Sequence, residues 1–166
     1  MRALDTGTLK GLWSAVPTPW DERGNVDQGM LTRNCQRLAA ARVDGIYTTD
    51  SDGEFYAIEL DQFRQLARSF AAAMEGLPVD VAMGVTWTHT QGIIDRIKVS
   101  CDVGIPNVHV AFPFFMPLAA SDVDRFWEAP GERTCEWPLS RRLTFPISAG
   151  KSKPTSIDSA PRSIRT

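Results

Sequence analysis

Residues 43–54 read Val43-Asp44-Gly45-Ile46-Tyr47-Thr48-Thr49-Asp50-Ser51-Asp52-Gly53-Glu54. Gly45 opens a short β-prone run that ends after Thr49 in small and acidic residues. An amphipathic stretch from Glu59 to Glu75 follows a brief connection. Strand, polar loop and helix in that order form one βα unit. Parallel α/β folds carry their chemistry on such loops, at the carboxyl ends of the strands. Asp50, Ser51, Asp52 and Glu54 are therefore the first candidates for a site.

Upstream, Gly11-Leu12-Trp13-Ser14-Ala15-Val16 reads as a buried first strand, stopped by Pro17-Thr18-Pro19 because proline has no amide hydrogen for a ladder. Asp21-Glu22-Arg23-Gly24-Asn25 is a turn, and Asp27 is placed to cap a helix with Met30, Leu31, Cys35, Leu38 and Ala41 on its apolar face.

Downstream, Leu60, Phe63, Leu66, Ala67, Phe70 and Met74 share one helical face that Gly76 and Pro78 terminate. Val79 to Gly84 is a third strand, and Thr86-Trp87-Thr88-His89-Thr90 leads into a third helix with Ile93, Ile94, Ile97 and Cys101 inward. Asn107 to Ala111 is a fourth strand, followed by Phe112-Pro113-Phe114-Phe115-Met116-Pro117. Strands thus recur at roughly 30-residue intervals, the size of a βα unit. Four such units predict a parallel α/β sheet with right-handed crossovers. A complete (β/α)₈ barrel needs about 250 residues, and this chain has 166. Four units by themselves also suit a flavodoxin-like open sheet.

From Pro130 onward the pattern stops. Pro130, Pro138, Pro146, Pro154 and Pro161 punctuate a serine- and arginine-rich segment in which only Leu143 to Ile147 has strand character. Charge changes at the same place: residues 1–129 carry a net −6 and residues 130–166 a net +4. We divide the chain into a partial α/β domain, 1–129, and an irregular tail, 130–166, expected to be disordered or the product of a frameshift.

Composition narrows the function classes. A hydrophobic content of 43% and a charged content of 23% suit a soluble globular domain. A net charge of −2 argues against a nucleic-acid partner. No run of 18 apolar residues suggests a membrane span, and Met1 to Asp5 lacks a signal peptide's apolar core, so a cytoplasmic location is expected. Cys35, Cys101 and Cys135 form no CxxC pair or Cys/His cluster, and His89 and His109 with Asp50 and Asp52 match no ligand spacing. Neither a metal nor a cofactor is expected. Alternation places His109 on the strand face opposite Val108 and Val110, towards a barrel interior or against helices.

Several landmarks together resemble the dihydrodipicolinate synthase and N-acetylneuraminate lyase family: Ala15-Val16-Pro17-Thr18-Pro19, Gly24-Asn25-Val26-Asp27, Gly45, Gly84, and Pro113 with its paired aromatics. Asp50-Ser51-Asp52-Gly53-Glu54 stands where that family has a glycine-Thr-Thr-glycine-Glu loop. The resemblance covers residues 9–129. It implies the amino-terminal half of a TIM (β/α)₈ barrel from a class I aldolase-type lyase, usually a homo-oligomer, that binds pyruvate or another 2-oxo acid as a Schiff base on lysine. Ser51 and Asp52 fall where members use two hydroxyl residues which, with nearby amides, hold the substrate carboxylate. Ser51, Asp52 and Gly53 are thus the implied substrate contacts and Ser51 an implied catalytic residue. Phe115 falls at the family's relay tyrosine and cannot carry that proton. The Schiff-base lysine is absent, since Lys10 and Lys98 lie in the lead-in and a helix and Lys151 and Lys153 in the tail. The resemblance therefore implies a chain inactive by itself. The alternative is a non-catalytic half-barrel that associates with itself or with another subunit, because an unclosed sheet leaves exposed edges.

Overall fold

A computed structural model describes residues 1, 3, 4, 9–111, 119, 121, 122, 125, 142 and 143. Strands β1 (Trp13–Ala15), β2 (Gly45–Thr48), β3 (Asp80–Gly84) and β4 (Val108–His109) alternate with helices α1 (Gln28–Ala40), α2 (Leu60–Met74) and α3 (Thr90–Asp102). A two-residue β5, Arg142–Leu143, pairs with β4. All pairings are parallel and the spatial order is the chain order, β1-β2-β3-β4-β5. Sequential winding with a helix after each of the first three strands is the arrangement of an opening (β/α)₈ barrel. A flavodoxin-like sheet would reverse its strand order partway, and this one does not.

The helices form where capping and periodicity agree. The Asp27 carboxylate accepts from the Met30 amide at 2.8 Å and starts α1. Glu59 and Gln62 form a reciprocal capping box at the head of α2. Arg42 takes a left-handed φ of 59° just past α1, and Gly76 does the same past α2 at 75°. One sheet face packs against the helices: Val16, Ile46, Val81, Met83, Val108 and Val110 join Leu31, Cys35, Phe63, Leu66, Phe70, Ile93 and Ile97 in a single core.

Three expected inward positions are looser. Met30 is 40% exposed, Ala41 is exposed and Cys101 is half-buried. In α1, Leu31 and Cys35 are fully buried and Leu38 and Ala39 pack half-buried against the core, while Met30 and Ala41 fall outside that stripe. The fourth strand is also shorter than expected. Asn107 bonds through its side chain, donating to the Val81 carbonyl at 2.8 Å and accepting from the Leu4 amide at 2.8 Å, which ties the lead-in across the amino-terminal end of the sheet. The loop from Phe112 to Pro117, Phe115 included, lies outside the described residues, as does the 130–166 tail except for Arg142 and Leu143.

Candidate functional site

Alternation along the strands sends Tyr47, Ala82, Gly84 and His109 to the face away from the helices. The registers Tyr47↔Ala82 and Gly84↔His109 bring these residues side by side. The Tyr47 and His109 rings meet edge to face, with centroids 5.8 Å apart. The sequence left open which way His109 points; its side faces the barrel interior. Burial pushes its pKa below the usual 6.5, against the pull of the Asp50 charge. Burial likewise raises the Tyr47 phenol to about 12, helped by the charge of Asp50 and a hydrogen bond to it. Both side chains are therefore uncharged near neutrality.

The loop above this face is tightly built. Thr49 turns the chain out of β2 with φ 58°, a left-handed conformation costly for a β-branched residue. Its hydroxyl donates to the Gly84 carbonyl at 2.6 Å. A Cβ at Gly84 would collide with the Thr49 carbonyl, so only glycine lets β2 and β3 approach here. Asp50 then folds back on its own loop: one carboxylate oxygen accepts from the Asp52 amide at 3.1 Å and the Gly53 amide at 3.3 Å. The Gly53 carbonyl accepts from the buried Thr18 hydroxyl at 2.8 Å. A Cβ at Gly53 would lie 2.5 Å from the Thr49 nitrogen. Glu54, with φ 56°, accepts from the Trp20 indole at 2.8 Å.

The predicted residues thus occupy different situations. Ser51 and Asp52 are exposed at the carboxyl end of β2, with free access to solvent, while Gly53 is buried beneath them. Glu54 braces the loop, as the sequence suggested. His89 does not reach this group: its Nδ1 accepts from the Gly92 amide at 3.1 Å and caps α3. Sequence reasoning missed Tyr47, whose nearness to His109 depends on strand register, and it missed the inward bonding of Asp50. Among the described residues, no group of three or more His, Cys, Asp or Glu side chains is arranged to hold a metal ion. Lys10 and Lys98 are both exposed, and neither side chain enters the inner face.

Residues 8–134 match the Dihydrodipicolinate synthetase family. The chain belongs to that family. A 4-hydroxy-tetrahydrodipicolinate synthase from Natronomonas pharaonis is 25% identical over 108 residues, 65% of this chain and 36% of the relative. An uncharacterized DapA-like lyase from Thermococcus onnurineus is 25% identical over 146 residues, 81% of this chain and 49% of the relative. The chain therefore spans half or less of the curated relatives it matches. Among solved structures, dihydrodipicolinate synthase from Aquifex aeolicus superposes with a TM-score of 0.74 at 16% identity, over 84% of this chain and 46% of that one. YagE, an E. coli K12 prophage protein of the dihydrodipicolinic acid synthase family solved in complex with pyruvate, gives a TM-score of 0.71 at 21% identity, over 76% and 42%. The α/β sheet described above is thus the amino-terminal part of the family's TIM barrel. Among the described residues, no helix is long and apolar enough to cross a membrane.

Proposed function

We propose that this chain carries the 2-oxo acid loop of a Schiff-base-forming carbon–carbon lyase, with Ser51 as the hydroxyl contact to pyruvate or another 2-oxo acid. The observation that supports this reading is the placement of Ser51. It is exposed at the carboxyl end of β2, on a loop held by Thr18 and Trp20, above the sheet face opposite α1, α2 and α3. Gly53 serves that loop by permitting its close turn, and Asp52 stands beside Ser51 at the family's second hydroxyl position, where its backbone amide can serve the ligand but its carboxylate opposes an anionic one. Family membership and the pyruvate complex of YagE support the substrate class.

The amine for imine chemistry is not among the described side chains of the inner face, so the chain by itself is inactive in this reading. Phe115 at the relay-tyrosine position adds to that inactivity, because a phenyl ring moves no proton. In this reading, whole-protein activity requires a different, lysine-bearing polypeptide to supply the amine, since further copies of this chain add none.

Titration of the full chain with millimolar pyruvate, followed at backbone amide resonances, tests the loop assignment. Saturable shifts at Ser51, Asp52 and Gly53, lost in Ser51→Ala, are expected. The absence of any shift across the loop overturns the reading.

A second reading, a non-catalytic half-barrel paired with another copy, draws support from the β1 edge, whose outer side has no strand partner among the described residues. Sedimentation decides it: a dimer is expected from this reading, and a well-folded monomer opposes it.

A further inference from the structure

The loop after β2 contains two amides, those of Asp52 and Gly53, that converge on a single point. Converging backbone N–H groups form a concave anion site, since their partial positive charges add and no side chain is needed. In this chain the point is already filled. One Asp50 carboxylate oxygen lies 3.1 Å from the first nitrogen and 3.3 Å from the second, and the same carboxylate accepts the Tyr47 hydroxyl. Segment 49–60 carries Asp50, Asp52, Glu54 and Glu59 and no lysine or arginine. Glu59 is balanced by Arg96 and Glu54 is held by Trp20, so an incoming anion meets an occupied amide pair flanked by the exposed Asp52 carboxylate.

We infer that Asp50 is the specificity-determining residue of this loop, an internal carboxylate seated where a ligand's carboxylate would bind. The inference rests on the reading that the loop receives a 2-oxo acid, and it narrows that reading. A 2-oxo acid gains the amide pair only by displacing Asp50, whereas an uncharged carbonyl compound has no need of it. Both amide bonds to Asp50 exceed 3.0 Å, long for charge-assisted bonds, so displacement is feasible and the loop discriminates without closing altogether. Tyr47 provides the alternative partner for a displaced Asp50, because its hydroxyl already bonds that carboxylate.

The test compares full-length wild type, Asp50→Gly and Asp50→Asn by amide-resonance titration with two probes, pyruvate and hydroxyacetone, which lacks the carboxylate. Freeing the amide pair is expected to tighten pyruvate binding by roughly tenfold or more in Asp50→Gly. Asp50→Asn keeps an acceptor oxygen on the amides and removes only the charge, so a gain of about threefold is expected. Hydroxyacetone binding is expected to stay the same in all three proteins. Pyruvate binding that is equal in wild type and both variants overturns the inference while leaving the 2-oxo acid reading intact. Equal gains for both probes also overturn it, because they indicate a general loosening of the loop. No pyruvate binding in any of the three overturns both. Asp50→Asn keeps the turn and decides the matter if Asp50→Gly fails to fold.

Discussion

The Trp20 indole nitrogen donates to the Glu54 carboxylate at 2.8 Å, joining the loop after β1 to the loop after β2. A second tie, from the Thr18 hydroxyl to the Gly53 carbonyl, runs parallel to it. Together they hold Ser51 and Asp52 over the inner face, on a segment whose backbone is left-handed at both Thr49 and Glu54. A left-handed non-glycine residue persists only where its surroundings enforce it. At Glu54 the enforcement comes from the neighbouring loop, and at Thr49 from its hydroxyl bond to the Gly84 carbonyl at the end of β3.

The Glu54 tie predicts a graded mutational response. Glu54→Gln keeps an acceptor oxygen for the indole and is expected to change stability by less than about 0.5 kcal/mol. Glu54→Ala removes the acceptor and is expected to cost about 1–2 kcal/mol. It should also speed amide exchange across residues 50–54. Chemical denaturation with hydrogen exchange measures both, and equal stability of the two variants would show that the contact carries no weight.

Arg96 gives a larger prediction. It is only 3% exposed, stacks 3.5 Å above the Trp87 ring centre and donates to the Ile58 carbonyl at 2.8 Å and the Gly92 carbonyl at 3.3 Å. Burial lowers its pKa to about 10, which still leaves it charged at neutral pH. Arg96→Met fits the space but leaves the buried Ile58 carbonyl without its donor and loses the cation–ring contact, so a loss of about 2–4 kcal/mol is expected. A urea midpoint indistinguishable from wild type would contradict this role.

His109 predicts a pH dependence. Its folded pKa lies below its usual 6.5, chiefly through burial, so the unfolded chain binds its proton first as pH falls. Stability is full above pH 6.5 and declines as pH drops from there through the folded pKa. His109→Phe keeps a ring against Tyr47 and removes the titration. Its stability is expected to be flatter than that of wild type over this window. A parallel decline in both proteins would place the acid sensitivity in other groups.

Much of the fold was legible because helix burial follows a simple period. Phe63, Leu66, Ala67, Phe70 and Met74 are all buried, as their spacing requires. Asp27 caps α1 as its position before the apolar run suggested. What periodicity does not encode is a contact made through strand register or between distant loops. Tyr47 meets His109 only because β2, β3 and β4 pair in one alignment, and Trp20 meets Glu54 across 34 residues of chain. Arg96 was passed over for another reason. A charged residue reads as a solvent face, and its burial is made tolerable by the Trp87 ring beside Gly92 and by the Ile58 and Gly92 carbonyls, which no local pattern announces.

The placement of the candidate loop was legible in part for the same cause. Ser51, Asp52 and Gly53 sit at a strand's carboxyl end, which the order of strand, loop and helix already implied. The inward turn of Asp50 was not foreseeable from residue type, because an aspartate in a polar loop bonds its own amides or points to solvent with equal ease.

Under the proposed function, this chain holds a lyase's 2-oxo acid loop without the amine that would make it an enzyme by itself. Reductive trapping tests it most directly: the full chain is saturated with pyruvate, treated with borohydride, and weighed intact by mass spectrometry. An unchanged mass is predicted, while a reduced pyruvate adduct on Lys10, Lys98, Lys151 or Lys153 would contradict it.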